Sequence, residues 1–379
     1  MTDKIGIYLH IPFCISKCHY CDFCSVSRAD EGKKQAYVDA ICREINAAAE
    51  EIRGKHGRVP VADTVYFGGG TPSLLTPKQF EMMLAAVESN WGIVTNAEIT
   101  AEANPKTVDG QRLCDMRSLG INRLSIGMQS THDSELRALG RPHSFADFTE
   151  CYKDARGAGF DNISLDLMYG IPNQTPESFY ESVRRTAELS PEHISSYCLT
   201  IEEGTNFHRR RDSLILPDED EVANMYLEMG NILSRCGYNK YEISNFSREG
   251  KESRHNLKYW QRDDYLGFGP GAHSFFDGVR VAHSRDIEAY IRGESILEKH
   301  EKIGEKDAEE EFIFLGMRLE KGIDTEEYKT VFKTDFYKKY GKRVRKYAPE
   351  YIDIGEKYCR FTDKGMFVSN YILADILDE

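Results

Sequence analysis

The sequence predicts an α/β fold, a partial (βα)6 barrel of parallel strands followed by a small α-rich domain. Three features of the 379-residue chain carry that expectation. Short apolar runs rich in β-formers alternate six times with longer amphipathic stretches, and strands alternating with helices pair in parallel through right-handed crossovers. Glycine or polar residues stand at the end of all six runs, on the rim where βα-barrels carry their chemistry. From about Lys306 the chain turns helical and acidic. Six units are too few for a closed eight-stranded barrel and enough for a partial one.

Ile5-Gly-Ile-Tyr-Leu-His-Ile11 is the first strand and delivers the chain to a cysteine-rich loop; residues 31–54, rich in Ala, Glu and Lys, form the first helix. Asp63–Phe67 is the second strand, closed by Gly68-Gly-Gly-Thr71, and Pro77 opens a helix to about Glu88. Ala97–Glu102 is the third strand, ahead of a helix over 108–119. Asn122–Ile126 is the fourth, with Gln129 just beyond it and helical segments between Asp133 and Gly159. Asn162–Met168 is the fifth, carrying Asp166 inside an apolar run, and 176–189 is helical. His193–Thr200 is the sixth, followed by the Glu219–Cys236 helix and a short last strand at Tyr238–Ile243. Residues 1–243 are thus expected to form the barrel. Residues 244–305 hold many Gly, His, Tyr and Arg with little periodicity, and read as a long functional loop or extension. Residues 306–379 read as a C-terminal, winged-helix-like domain, with a strand-to-helix turn at Phe361–Gly365.

Composition bounds the function. A net charge of −13 disfavours nucleic-acid binding, which rests on basic surface, so the basic runs at 208–211 and 338–346 read as solvated faces. No run of about 20 apolar residues is present to span a bilayer. Met1-Thr-Asp-Lys passes straight into the first strand without a secretory leader, and ten cysteines in that context read as reduced thiols of a cytoplasmic protein.

Cys14, Cys18 and Cys21 present three thiolates at a C-x3-C-x2-C spacing from one loop. Soft thiolates select iron–sulfur clusters, zinc or copper(I), and three of them leave one coordination position open, as in a catalytic centre. A zinc knuckle or buried thiols are the alternatives. Gly68, Gly69, Gly70 and Thr71 allow close approach of backbone to a ligand or simply turn the chain. Glu102 accepts two hydrogen bonds, suiting paired hydroxyls, or serves in a surface ion pair. A buried Asp166 needs a partner, and Arg141 is a candidate for it. In His255-Asn-Leu-Lys-Tyr259-Trp260 the imidazole is a candidate haem ligand beside aromatic packing surface, or part of a packed loop. His273 is a second candidate, and His10 and His19 flank the cysteine loop.

C-x3-C-x2-C with Tyr20 before the third cysteine resembles the signature of the radical S-adenosylmethionine (SAM) superfamily. The resemblance implies a partial barrel, a [4Fe–4S] cluster on Cys14, Cys18 and Cys21, and SAM on the fourth iron, with Cys24 a bystander. Tyr8-Leu-His-Ile-Pro-Phe-Cys14, Phe67-Gly-Gly-Gly-Thr-Pro-Ser73, Leu139-Gly-Arg141 and Asp166-Leu-Met-Tyr-Gly-Ile-Pro172 are similar to the oxygen-independent coproporphyrinogen oxidase-like branch. In that branch the SAM contacts correspond to Tyr8, Gly68, Gly69, Gly70, Thr71, Glu102, Gln129, Arg141 and Asp166, although Tyr8 also reads as barrel core. Tyr20-Cys-Asp-Phe23, Tyr241–Phe246, His255–Trp260, Gly267–Ser274 and the tail are similar to the HemW group of haem chaperones, which implies haem, near His255, Tyr259 and Trp260, as a third ligand. It also implies a haem-acceptor protein and a flavodoxin- or ferredoxin-like electron donor. The oxidase itself carries an arm before the first strand and a cysteine two residues after the third cluster cysteine, where this chain has Phe23. Coproporphyrinogen III oxidation and an anaerobic haem-modifying methyltransferase are the enzyme alternatives to a chaperone.

Overall fold

A computed structural model describes residues 2–378; Met1, on which the reading of an absent leader rests, lies outside them. Strands β1 (Lys4–Ile11), β2 (Val61–Gly69), β3 (Ile93–Ala103), β4 (Arg123–Gln129), β5 (Ile163–Tyr169) and β6 (His193–Cys198) lie side by side in chain order, parallel at every step. Between and after them run α1 (Glu31–His56), α2 (Pro77–Trp91), α3 (Gly110–Ser118), α4 (Asp133–Leu139), α5 (Phe145–Gly157), α6 (Pro176–Glu188) and α7 (Glu219–Arg235). Their starts are written locally. Capping boxes open α2 (Thr76/Gln79), α5 (Ser144/Asp147), α6 (Thr175/Ser178) and α7 (Asp218/Glu221), and Pro77 and Pro176 supply first-turn residues with no N–H to satisfy.

Strand alternation sorts the side chains into two layers. Ile7, Leu9 and Ile11, Val65 and Phe67, Leu124 and Ile126, Leu165 and Leu167, and Ile194 are fully buried in the main core cluster, which also takes in the apolar faces of the helices. The alternate residues, Tyr8, His10, Tyr66, Glu102, Arg123, Ser125, Ser164, Asp166, His193 and Ser195, line a cavity. A closed βα-barrel fills its centre with branched apolar side chains. Here the centre is polar and hollow.

The stretch read as a loop is built instead of sheet. β7 (Asn239–Glu242) and β8 (Asn245–Ser247) form a hairpin that adds antiparallel to β6. Helix α8 (Arg254–Gln261) then crosses beneath the strand starts. Glu98 accepts from the backbone N–H of Arg254 (3.1 Å) and His255 (3.0 Å), and Lys258 pairs with Asp63 at 2.9 Å. The chain emerges on the opposite edge as β9 (Tyr265–Phe268), a seventh parallel strand, against β1. β10 (His273–Phe276), β11 (Val279–His283) and β12 (Leu297–Lys302) extend that edge antiparallel, completing a twelve-stranded sheet with the short helix α9 (Ile287–Ile291) between the last two. These strands span only three to six residues each and are broken by glycine turns, which leaves too few alternations for a sequence pattern to register.

The C-terminal region runs α10 (Glu305–Gly316), β13 (Ile323–Asp324), α11 (Thr325–Phe332), α12 (Phe336–Val344), β14 (Ile352–Ile354), β15 (Tyr358–Phe361), α13 (Asp363–Phe367) and α14 (Ser369–Leu377). Its antiparallel sheet has the order β13-β15-β14, so the helix–strand–helix–helix–strand–strand succession is that of a winged helix. It meets the barrel at β7, where Glu320 N donates to Tyr241 O at 3.0 Å and Lys240 pairs with Glu320 and Asp363. Among the described residues no helix is long and apolar enough to cross a membrane.

Candidate functional site

The cavity occupies about 890 Å³, running from the lumen up to the cysteine loop. That loop is closed at its base like a lasso, where Phe13–Cys14 pairs with Val26–Ser27. His10 Nε2 meets Cys24 O at 2.8 Å, and His19 N donates to Leu139 O at 3.0 Å, tying the loop to β1 and to the end of α4. Gly70 N donates to Ile11 O at 2.8 Å, and a Cβ there would fall 2.8 Å from both Ile11 O and Phe13 O. Only glycine lets the turn after β2 press this closely on the loop. Gly69, at φ +111°, is likewise backbone that side chains avoid.

Cys14, Cys18 and Cys21 are free, partly buried thiols facing the cavity. Burial pushes Cys14 up and Cys21 up to about 11, the neighbouring thiols adding to the shift. Two donors aim at them: Thr71 Oγ1 at 3.6 Å from Cys14 Sγ and Arg141 Nη1 at 3.5 Å from Cys18 Sγ. Asn104 joins these donors, accepting from Arg141 Nη2 and donating to Thr71 Oγ1 at 2.9 Å. Among the described residues no three His, Cys, Asp or Glu side chains converge as ligands of one metal ion. Three thiolates suit a cubane, which takes each on a different iron and leaves one iron open, whereas a structural zinc takes four protein ligands. Cys24 is engaged elsewhere, its thiol 3.6 Å from Arg285 O.

Beside the loop, Glu102 accepts from Tyr66 Oη (3.0 Å) and Gly69 N (3.1 Å). Burial, then the Asp166 carboxylate, raises its pKa to about 7. Asp166 accepts from Ser125 at 3.0 Å and is itself raised by burial to about 6. No ion pair joins Asp166 to Arg141, whose guanidinium donates to Cys18, Asn104 and Gly127 O (2.8 Å) and keeps its Nε without a partner. The structural salt bridge weighed from sequence is therefore corrected. Gln129 sits at φ +69° and accepts from Tyr197 Oη at 2.9 Å. Tyr8 belongs to the lumen wall, 3.1 Å from His10 Nδ1 and stacked on Tyr66. Gly68 packs below the turn, where a Cβ would meet Tyr66, Glu102 and Tyr8.

The haem-candidate motif lies on α8 and not on a loop. His255 is 1 % exposed and both its ring nitrogens are engaged, Nδ1 with Thr64 Oγ1 (2.7 Å) and Nε2 with Tyr259 Oη (2.8 Å). Burial lowers its pKa to about 3. In this arrangement both nitrogens are taken within the protein, so service as a haem ligand would require Thr64 or Tyr259 to release one of them. Asn256 and Tyr259 reach the cavity floor, whereas Trp260 is not part of the cavity lining.

Residues 8–186 match the model of the radical SAM superfamily and residues 303–368 that of the HemN C-terminal domain. The chain is 33 % identical over 376 residues to the heme chaperone HemW of Lactococcus lactis subsp. lactis (strain IL1403), covering 98 % of this chain and 96 % of that one. With the Bacillus subtilis (strain 168) heme chaperone HemW it shares 35 % identity over 390 residues, 98 % of this chain and 99 % of the relative. The chain belongs to the HemW family of radical SAM proteins. The Escherichia coli (strain K12) HemW is 36 % identical over 320 residues, covering 83 % and 82 % of the two chains. The solved Escherichia coli coproporphyrinogen III oxidase HemN, described as a radical SAM enzyme, superposes with a TM-score of 0.83 at 24 % identity, covering 99 % of this chain and 90 % of that one, and shares the fold.

For a HemW-family chain, superfamily membership implies a [4Fe–4S] cluster and SAM. Two contributors to the site were given no role from the sequence. Asn104, just past β3, links the thiol-facing donors. Arg123, at the start of β4, is a charged residue on an inward-facing position, a signal present in the alternation of its strand.

Proposed function

We propose that this protein is a radical SAM haem chaperone, which carries haem and passes it to an acceptor protein. The observation that carries the proposal is one cavity that gathers three thiols, the glycine turn, two carboxylates and a guanidinium, in a chain aligned over nearly its whole length with heme chaperones named HemW. Cys14, Cys18 and Cys21 would hold the cluster, supporting one-electron chemistry when it is reduced by a flavodoxin- or ferredoxin-like donor. The chain's own groups then divide the work on SAM. The turn at Gly68, Gly69, Gly70 and Thr71 gives backbone to its amino group, and Arg141 fixes its carboxylate by a charge-assisted bond. Glu102 and Asp166 accept from its ribose hydroxyls, and Gln129 and Tyr8 border the adenosine. Haem is cargo, and the remaining lumen, floored by Asn256 and Tyr259, is the space available to it. The thiols suit the reducing cytoplasm.

The test is anaerobic reconstitution followed by haem titration. Wild type is expected to hold a cluster that the Cys14→Ala/Cys18→Ala/Cys21→Ala variant loses, and to take up haem with a distinct Soret band. Unchanged iron in the triple variant, or no haem uptake by wild type, sinks the proposal. Conversion of coproporphyrinogen III to protoporphyrinogen by the purified protein would make it an oxidase instead.

A further inference from the structure

The lumen holds a charge that the SAM cradle does not use. Arg123 is 2 % exposed and lines the cavity, yet its side chain makes no hydrogen bond and no ion pair among the described residues, and its Nε is buried without a partner. Its place in the barrel is fixed by register. Thr100 faces Arg123, and Glu102 faces Ser125, so Arg123 lies one inward-facing layer deeper than the Glu102 carboxylate. Glu102 and Asp166 feel its field, each pKa held lower by it, but neither comes within ion-pair distance. A guanidinium carries five donors in a fork that matches a carboxylate, and stripping it of water without acceptors is costly. Beside it across the sheet, Thr100 Oγ1 is likewise buried without a partner. Such a group is built to be completed by an anionic ligand.

We infer that Arg123 is a carboxylate anchor on the lumen floor, and that it receives a propionate arm of the tetrapyrrole cargo. The inference rests on the haem-binding reading above. SAM has no call on the site: its carboxylate belongs at the rim beside Arg141 and the thiols, and its hydroxyls belong one layer higher. The occupant must therefore be a second ligand with a carboxylate on a flexible arm. A macrocycle bearing propionates meets that requirement, while an apolar or esterified macrocycle does not.

The experiment compares iron protoporphyrin IX with its dimethyl ester, titrated spectroscopically into reconstituted wild type, Arg123→Gln and Arg123→Lys. Wild type is expected to bind the diacid at least tenfold more tightly than the diester. Arg123→Gln should lose that preference by weakening diacid binding alone, and Arg123→Lys should retain part of it. Circular dichroism and melting establish that the variants are folded; should Arg123→Gln fail to fold, the wild-type ester comparison and the lysine variant decide. Equal affinity of wild type for diacid and diester, or a full preference persisting in Arg123→Gln, overturns the inference while leaving haem binding intact. Wild type that binds neither macrocycle overturns the haem-binding reading, and the inference with it.

Discussion

Glu102→Gln is expected to make the cofactor-free protein more stable at alkaline pH while weakening its hold on SAM. The folded carboxyl keeps its proton to about pH 7, against 4.5 for its ordinary value, because burial and the nearby Asp166 both oppose its charge. Between those values folding takes up a proton, so stability falls as pH rises through the window, and the cost is fully present above it. A shift of this size is worth about 3 kcal/mol at roughly 1.4 kcal/mol per pH unit. Glutamine mimics the protonated acid but accepts from only one of the two donors, Tyr66 Oη and Gly69 N, giving back about 1 kcal/mol. The net gain at pH 8.5 is about 2 kcal/mol. With an unfolding entropy of about 2.1 cal/mol/K per residue, this raises Tm by roughly 2–3 °C for a chain of this length. The gain should shrink to near zero at pH 5, where wild type is already protonated. Differential scanning fluorimetry under nitrogen from pH 5 to 8.5 reads both ends, and equilibrium dialysis should find SAM affinity reduced at least tenfold. A variant that melts below wild type at pH 8.5, or a gap independent of pH, refutes the reasoning.

Three further expectations follow from individual contacts. Gly70→Ala places a methyl against two backbone oxygens that cannot yield, so the cysteine loop should be displaced and iron retained per chain should fall by more than half after reconstitution. His255→Ala strips the buried Thr64 and Tyr259 hydroxyls of their shared partner, costing about 2–4 kcal/mol in chemical denaturation, while the haem complex keeps its Soret position; a moved Soret band with unchanged stability would restore His255 as ligand. Gln129→Gly relieves a left-handed backbone worth about 1 kcal/mol but forfeits the Tyr197 contact, so stability should stay nearly level while SAM binding weakens, as melting and dialysis on one preparation would report.

The six parallel strands were legible because each pairs a run of buried apolar residues with a helix whose cap is written beside it, as at Thr76-Pro77 and Thr175-Pro176. The cysteine loop was legible because its three thiols are local in sequence. The far edge of the sheet was not: β9 pairs with β1 across more than 250 residues, and nothing in Tyr265–Phe268 marks it as parallel. The bonds of His255 were hidden for the same reason, since its partner Thr64 is 191 residues away and a histidine's chemistry does not announce which of its nitrogens are taken. Arg123 stood in plain view in Asn122-Arg-Leu-Ser-Ile126, where the polar residues of an alternating strand face the lumen.

Helix α8, held across the strand starts by Glu98 and Asp63, stops the lower end of the barrel. A chamber stopped at one end imposes sequence on its occupants. A ligand that reaches Arg123 by passing Glu102 would have to arrive before that level is filled and wait for it to clear before leaving. The protein would then load its ligands in a fixed order and release them in reverse, with occupancy of the upper level acting as the catch on the lower.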